Sequence, residues 1–431
     1  MRLMKSEPGR NAVGGFFGNR WWVVFASICG LLVGAGAINV FAFGVFLKPV
    51  TQDLHVGREF FSTGLILTSI LTALGTLPLG TLLDRWGVRR VLVVGLILYS
   101  LGVAAYALMT AAPTMMYLAF GLAGIFGCIG SPVPYGVAIS LWFDRLRGLA
   151  IGVAMAGVGL GVAIVPQIAE FYIRHFGWRT AYLMLALTVF VIAWLPVALF
   201  VREPSAKDAA RQSDISIQGE LPGMAAREAF LGSWRFWALT IAFFVAIMAI
   251  NGTLTHIVAF LTDRGIPLSV ATGTLSAAGL ALIAGRIISG WCIDRLFAPY
   301  VAIGFFIIPM VGIALLASGA GGMVPLAGAI LCGLGVGAEV DIMAFMVSRY
   351  FGLKAYGTIY AVMFAVFSFA QGFGASIAGW SYDHYHSYHP AFMIFEGFLV
   401  VTCILIAPLG PYPYPKRPAE PAAALRTRGA A

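Results

Sequence analysis

The chain has 431 residues, of which 60% are hydrophobic and only 10% are charged. A soluble domain carries about 25% charged residues, so this composition excludes a soluble globular fold and indicates a protein dissolved in lipid. The formal charge of +9 is spread over separate short segments, a distribution that argues against nucleic-acid binding.

Apolar runs long enough to cross a bilayer occur throughout the chain, six before residue 202 and six after residue 235. A span needs about 20 apolar residues, and it must be helical because lipid offers no partner for backbone polar groups. The predicted spans are 21–47, 60–83, 91–112, 114–142, 149–173, 179–201, 236–262, 268–292, 298–318, 321–346, 356–379 and 390–410. The sequence therefore predicts an all-α membrane protein with twelve transmembrane helices.

A polar segment separates the sixth and seventh spans. It predicts an N-terminal six-helix bundle at 1–201, a cytoplasmic linker at 202–235, a C-terminal bundle at 236–410 and a cytoplasmic tail at 411–431. Most of the 27 lysines and arginines fall on the side of the termini, which predicts a cell (inner) membrane protein with both termini in the cytoplasm. The predicted outer loops hold Lys48, Arg58, Arg174, Arg179 and Arg264.

Two motifs recur across the linker. GTLLDRWG at 80–87 resembles GWCIDRLF at 290–297, and LWFDRLRGLAIG at 141–152 resembles RYFGLKAYGTIY at 349–360. A repeat of six helices is typical of two pseudo-symmetric bundles that rock about a shared site at the bilayer midplane. The residues expected to gate this motion, without touching substrate, are Gly80, Asp84, Arg85, Arg89, Arg90, Asp294 and Arg295.

Arg286 places a charge inside the apolar run of the eighth span, eight residues before Asp294. At a rise of about 1.5 Å per residue it lies about 12 Å deep, and half of the hydrocarbon layer is about 15 Å thick. A charge at that depth is costly and should face the interior of the bundle. Arg286 is therefore the first candidate for binding an anionic substrate.

The tenth span supplies two acids, Asp341 at the depth of Arg286 and Glu339 two residues farther in, on another face of the helix. One acid can pair with Arg286, whereas the other should take up a proton in a medium of low dielectric constant. This set predicts proton coupling: a substrate carboxylate displaces the paired acid, which then binds a proton. The alternative is a buried brace that only holds the two spans together.

Other polar residues in the spans are weaker candidates. Asn39 and Tyr135 are predicted to contact the substrate. His256 is expected at the membrane interface near the outer end of the seventh span, and the alternative is a second proton site. The sequence shows no metal-ligand spacing, no nucleophile–base set and no dinucleotide motif, so no metal, no cofactor and no enzymatic activity are expected.

GTLLDRWGVRR at 80–90 resembles the signature loop of the major facilitator superfamily between its second and third helices. RWWVVFASICGLLVG at the start, LWFDRLRGLAIGVAMAG after the fourth span and Arg286 resemble the monocarboxylate porter branch. That branch includes proton-linked lactate and pyruvate carriers and the oxalate–formate exchanger. The resemblance implies the major facilitator fold and places Arg286 at the substrate arginine of the branch.

The chain also departs from that branch. Met363 stands where the exchanger has a second cation, which favours a monoanion, and Phe41 and Leu282 stand where the lactate carriers have their lysine and aspartate. Their proton relay therefore does not transfer, and the acids of the tenth span are the substitute.

These observations predict a secondary active transporter of a small organic monocarboxylate, coupled to protons and working by alternating access. Its expected partners are the organic anion, the proton and the lipid bilayer. The alternatives are a proton-independent anion exchanger, a carrier or exporter of another class of small molecule, and a carboxylate sensor.

Overall fold

The computed structural model describes residues 20–143, 146–202 and 223–414. Most of the predicted linker and tail, at 203–222 and 415–431, lies outside these described residues. Within them the regular secondary structure is helical. The helices are α1 Trp21–Leu32, α2 Phe43–Leu54, α3 Arg58–Trp86, α4 Val88–Ala105, α5 Pro113–Gly127, α6 Pro132–Ser140, α7 Arg147–Val189, α8 Leu195–Phe200, α9 Ala226–Gly232, α10 Trp234–Asp263, α11 Leu268–Arg295, α12 Ala298–Ala317, α13 Val324–Tyr350, α14 Tyr356–Tyr385 and α15 His389–Ile406.

Eleven helical segments of the described chain are long and apolar enough to cross a bilayer, and one of them contains two spans. That segment, Gly148–Phe200, has 53 residues, and a straight helix of this length would measure about 80 Å. The chain bends at Gly177, whose φ of 75° and ψ of 165° are not helical. Glycine adopts such a positive φ without strain. The bend separates the fifth and sixth spans, so the described chain has twelve spans.

The first span continues beyond its predicted end. A π-helical segment, Gly36–Phe41, joins α1 to α2, and α2 extends to Leu54. Both ends of the described chain lie on one membrane face, because the number of spans is even. We call this face the termini side and the other face the opposite side.

Close packing of small residues joins the eighth and tenth spans, α11 and α13. A Cβ added to Gly333 would meet the backbone of Ala278, and one added to Gly337 would meet the Leu282 carbonyl and lie 2.8 Å from the backbone nitrogen of Arg286. Small residues let helix backbones approach closely in a membrane. This approach fixes the position of Arg286 relative to the tenth span.

The two halves of the chain, spans one to six and seven to twelve, meet near the opposite side. Gly44 packs on the backbone of Thr255, and Gly372 packs on the backbone of Ile66. The Gln167 amide donates to the Ser276 hydroxyl at 3.1 Å, which adds a polar contact between the halves. These contacts hold the two halves together near the opposite side.

The packing of Gly337 gives the first testable outcome. Gly337→Val should lower the melting temperature of the purified protein by several degrees, since overpacking costs about 1–3 kcal/mol and backbone atoms cannot move aside. Gly304, on the ninth span, has no atom within 4 Å of an added Cβ, so Gly304→Val is the matched control. Equal melting temperatures for the two variants would show that the contact between the spans tolerates a larger residue.

Candidate functional site

An ion pair joins the eighth and tenth spans near mid-depth. The Nε atom of Arg286 lies 3.2 Å from an Oδ atom of Asp341, and the two side chains are 17% and 38% exposed. Ionisable groups at this depth are found facing the bundle interior or a water-filled cavity rather than lipid. We infer that the partly exposed Asp341 faces a water-filled space rather than lipid.

The contact leaves Arg286 with spare donors. Its Nε atom is buried and makes no aligned hydrogen bond with any described residue, despite the short distance to Asp341. A guanidinium has five N–H donors in a planar fork that matches a carboxylate. Arg286 is thus held by charge attraction to one acid, and its N–H donors can bind a further carboxylate.

Glu339 has a different environment from Asp341. It is 1% exposed, and neither carboxyl oxygen has a hydrogen-bond partner among the described residues. An isolated ionised carboxylate in such a place costs far more free energy than a neutral acid. The two acids of the tenth span are therefore suited to different roles.

Tyr360, on the eleventh span α14, also belongs to this site. Its hydroxyl lies within electrostatic range of both Asp341 and Arg286. In the described part of the chain, no hydrogen bond occupies that hydroxyl. The sequence analysis missed this residue, and its signal was the four-residue spacing of Tyr356, Tyr360 and Phe364 on one helix face.

The two weaker substrate candidates lie in the N-terminal half. Asn39 occupies the π-helical segment Gly36–Phe41 and donates to the Ala123 carbonyl at 3.4 Å, while its Oδ1 has no partner within the described ranges. π-Helical turns are frequent at functional sites. Tyr135 is fully buried against Gly30, and its hydroxyl has no partner among the described residues. In this conformation Tyr135 packs inside its own half.

The predicted gating residues lie at the termini-side ends of the second, third and eighth spans. Arg89 donates to the Ala198 carbonyl at 2.9 Å, and Arg295 donates to the Trp291 carbonyl at 3.2 Å. The remaining members of this set are Gly80, Asp84, Arg85, Arg90 and Asp294.

A second charged cluster, on the opposite side, was not foreseen. Arg58 is only 7% exposed, although the sequence suggested an outer loop. Its guanidinium forms two hydrogen bonds with the Asp263 carboxylate, one of them 3.0 Å long, and donates to the Tyr388 hydroxyl. It also lies 3.5 Å from the centre of the Tyr382 ring, which adds a cation–π contact.

Further contacts extend this cluster. Lys48 lies 2.9 Å from the Asp263 carboxylate. Asp383 accepts hydrogen bonds from the backbone N–H groups of Arg58, at 3.0 Å, and Glu59, at 2.7 Å. We call Lys48, Arg58, Asp263, Asp383 and Tyr388 the opposite-side latch. Its cations come from the first half of the chain and its acids from the second, so it holds the halves together.

His256 lies directly beside the latch. It is 1% exposed, and its ring nitrogens lie 3.2 Å from the Ser62 hydroxyl and 3.4 Å from the Tyr388 hydroxyl. The expectation of an interfacial histidine is wrong. Depth counting placed it near the outer end of its span, but the second span covers it from the other half.

A separate ion pair on the opposite side stays within one half. Asp53 accepts hydrogen bonds from the Trp178 indole at 3.1 Å and the Arg179 guanidinium at 2.9 Å. These two bonds lower the pKa of the Asp53 carboxyl. Because both partners belong to the same half, this pair does not tie the halves together.

Comparisons with known proteins agree with this architecture. The model of the Major Facilitator Superfamily matches residues 26–373. The oxalate:formate antiporter of Oxalobacter formigenes is 25% identical over 274 residues, 63% of this chain and 62% of the antiporter. Monocarboxylate transporter 11 of Homo sapiens is 25% identical over 403 residues, 88% of this chain and 81% of that protein. The crystal structure of the D-xylose-proton symporter has a TM-score of 0.68 at 14% identity, covering 90% of this chain and 97% of its own.

These matches confirm the predicted fold class and the resemblance to the monocarboxylate and oxalate–formate branch. They point to a multi-pass membrane transporter of a small molecule and not to an enzyme.

The latch generates the second testable outcome. Asp263→Asn should leave Arg58 without its charged partner, and in this partly buried pair a loss of about 1.4 kcal/mol already changes the opening equilibrium tenfold. A cysteine placed at the buried Ser62 should then react roughly tenfold faster with a membrane-impermeant maleimide. The five native cysteines are replaced by serine beforehand.

Asp53→Asn is the matched control, since it breaks an ion pair on the same side that does not cross the halves. Its labelling rate should equal that of the parent. An equal rate for Asp263→Asn would show that the latch does not hold the opposite side shut.

Proposed function

Because the chain belongs to the Major Facilitator Superfamily, we propose that it carries a small organic monocarboxylate across the membrane by alternating access, in symport with protons. The observation that supports this proposal is the contact of Arg286 with Asp341, the one acidic partner of Arg286 among the described residues, which leaves the Arg286 Nε atom without an aligned hydrogen bond. A carboxylate substrate can form the paired hydrogen bonds that Asp341 does not form.

The charge balance at the site suggests how protons take part. When the substrate displaces Asp341 from Arg286, the freed carboxylate has lost its cation inside a poorly polar cavity. Taking up a proton neutralises it, so one anion and one proton load together. The loaded carrier then has the same net charge at this site as the empty one, which favours movement of the site across the membrane.

Glu339 is a second place for the proton. Its carboxyl has no hydrogen-bond partner in the described part of the chain and lies about 3 Å deeper than that of Asp341. A neutral acid is the less costly state there. We propose that Asp341 takes up the proton as the substrate frees it and that Glu339 then holds this proton during the conformational change.

We also propose the cell membrane as the location and the cytoplasm as the termini side, following the distribution of lysine and arginine. The closed latch then belongs to a state that is shut toward the outside and accessible from the cytoplasm. Asp84 and its neighbouring arginines would gate the cytoplasmic side in the opposite state.

A proton-independent exchanger is the second candidate, and one observation favours it. Asp341 already neutralises Arg286 in the empty site, so one anion could replace another without a proton. The similarity to a protein named as an oxalate:formate antiporter is in line with this alternative. Transport of another class of small molecule would leave the cavity arginine without a role.

The third testable outcome concerns Arg286. Arg286→Lys keeps the charge but loses the planar fork, so the affinity for a transported carboxylate should fall about tenfold or more. Arg286→Gln should abolish uptake. The measurement is uptake of labelled carboxylates into proteoliposomes that contain equal amounts of inserted protein. Near-normal uptake by both variants would rule out a substrate role for Arg286.

The fourth testable outcome separates symport from exchange. Glu339→Gln and Asp341→Asn cannot release a proton at the altered position, so accumulation driven by a pH gradient should fail. Exchange of internal for external substrate requires no net proton movement and should persist. Asp341→Asn should also change substrate affinity, because it removes the charged partner of Arg286, whereas Glu339→Gln should not.

Both activities are measured side by side in the same proteoliposomes. Full pH-driven accumulation by both variants would exclude proton coupling through the tenth span and leave the exchanger. Loss of both exchange and accumulation would instead indicate that the acids brace the two spans.

A further inference from the structure

Four aromatic side chains line one face of the eleventh span beside the charged site. We call Tyr356, Tyr360, Phe364 and Phe367 the aromatic ladder. Successive ring centres are 5.8, 5.9 and 5.5 Å apart, with interplanar angles of 11°, 29° and 15°. The rings are therefore nearly parallel along three turns of the helix.

The ladder leads from the termini side to the depth of Arg286. Tyr356 begins its helix, and Phe364 lies about 12 Å farther in. Asp341 lies about the same distance in from Arg349, near the end of the tenth span. Tyr360, between these levels, is within electrostatic range of Asp341 and Arg286. The ladder and the ion pair thus form adjoining walls.

Stacking within the ladder leaves part of each ring surface uncovered by its neighbour. Ring centres this far apart indicate offset rings that overlap only in part. Tyr356, Tyr360 and Phe364 are half-buried, while Val362 and Phe373, on the other face of the same helix, are each 39% exposed. The ladder is therefore on the inward face, with ring surface left for a ligand.

Building on the proposed carboxylate transport, we propose that the substrate is an aromatic monocarboxylate. Its carboxylate binds the spare donors of Arg286, the Tyr360 hydroxyl donates a second hydrogen bond to it, and its ring stacks on Tyr360 and Phe364. Arg286 is the one basic residue that the sequence places at this depth, which suits a single carboxylate. An anion the size of lactate would leave most of the ladder, about 16 Å long, uncovered.

The first experiment uses the unmodified protein in proteoliposomes. The probes are phenylacetate, cyclohexylacetate and propionate, which share a carboxylate and differ in having a planar ring, a puckered ring and no ring. Uptake of labelled phenylacetate is measured, and the other two compete with it. Phenylacetate should bind about three- to tenfold more tightly than cyclohexylacetate, because aromatic pairs gain free energy beyond their buried area. Propionate should bind more weakly than either.

Two variants test the ladder itself. Tyr360→Leu and Phe364→Leu keep apolar bulk but remove the aromatic face, so the ratio of the cyclohexylacetate and phenylacetate inhibition constants should fall toward one. Tyr360→Phe should keep that ratio while weakening both ligands, because it loses only the hydroxyl. Phe373→Leu is the matched control on the outward face of the same span, and its ratio should equal that of the parent.

The outcomes separate this proposal from the function on which it rests. Transport of propionate with equal or higher affinity than phenylacetate overturns the aromatic substrate and leaves monocarboxylate transport standing. Transport of none of the three probes by the intact protein overturns both. If a leucine variant fails to insert, the comparison of the three probes in the parent still decides the question.

Discussion

The free-energy cost of placing the charge of Arg286 near the bilayer midplane shapes the central site. A cation at that depth needs an acid, a wet cavity or both, and the structure supplies Asp341, which is itself partly exposed. The acid is in reach because Gly333 and Gly337 let the eighth and tenth spans approach closely. Helix packing, ion pairing and access to the cavity are therefore consequences of one buried charge.

The central site and the latch handle charge in opposite ways. At the centre, Arg286 has one oblique acid contact and Glu339 has no partner among the described residues. In the latch, Arg58 is bound by a carboxylate, a hydroxyl and an aromatic face at the same time. A site whose charged groups lack hydrogen-bond partners can exchange one partner for another. A site whose charged groups are fully hydrogen-bonded stabilises one conformation. The first is suited to a ligand and the second to a gate.

Sequence reasoning predicted those features that depend on a single helix. A constant helical rise set the depths of Arg286 and Asp341, and the structure brings the two together. Apolar run lengths predicted the twelve spans, including the boundary that the structure forms at Gly177. In each case the relevant information lies within one run of residues.

Sequence reasoning did not predict features that depend on how the two halves pack together or on how a helix is rotated about its axis. Arg58 and His256 bind residues about 200 positions away, across the interface between halves, and no local period encodes that pairing. Tyr135 has a clear depth, but Pro132 and a 3-10 turn at Cys128–Gly130 interrupt its helix, so its rotation could not be extrapolated.

The latch itself unites residues from the first, second, seventh and eleventh spans and the start of the twelfth. Because these residues share partners, losing one contact weakens the rest, which makes release cooperative. A gate that opens cooperatively would spend little time partly open, which would limit the leak of ions through the protein.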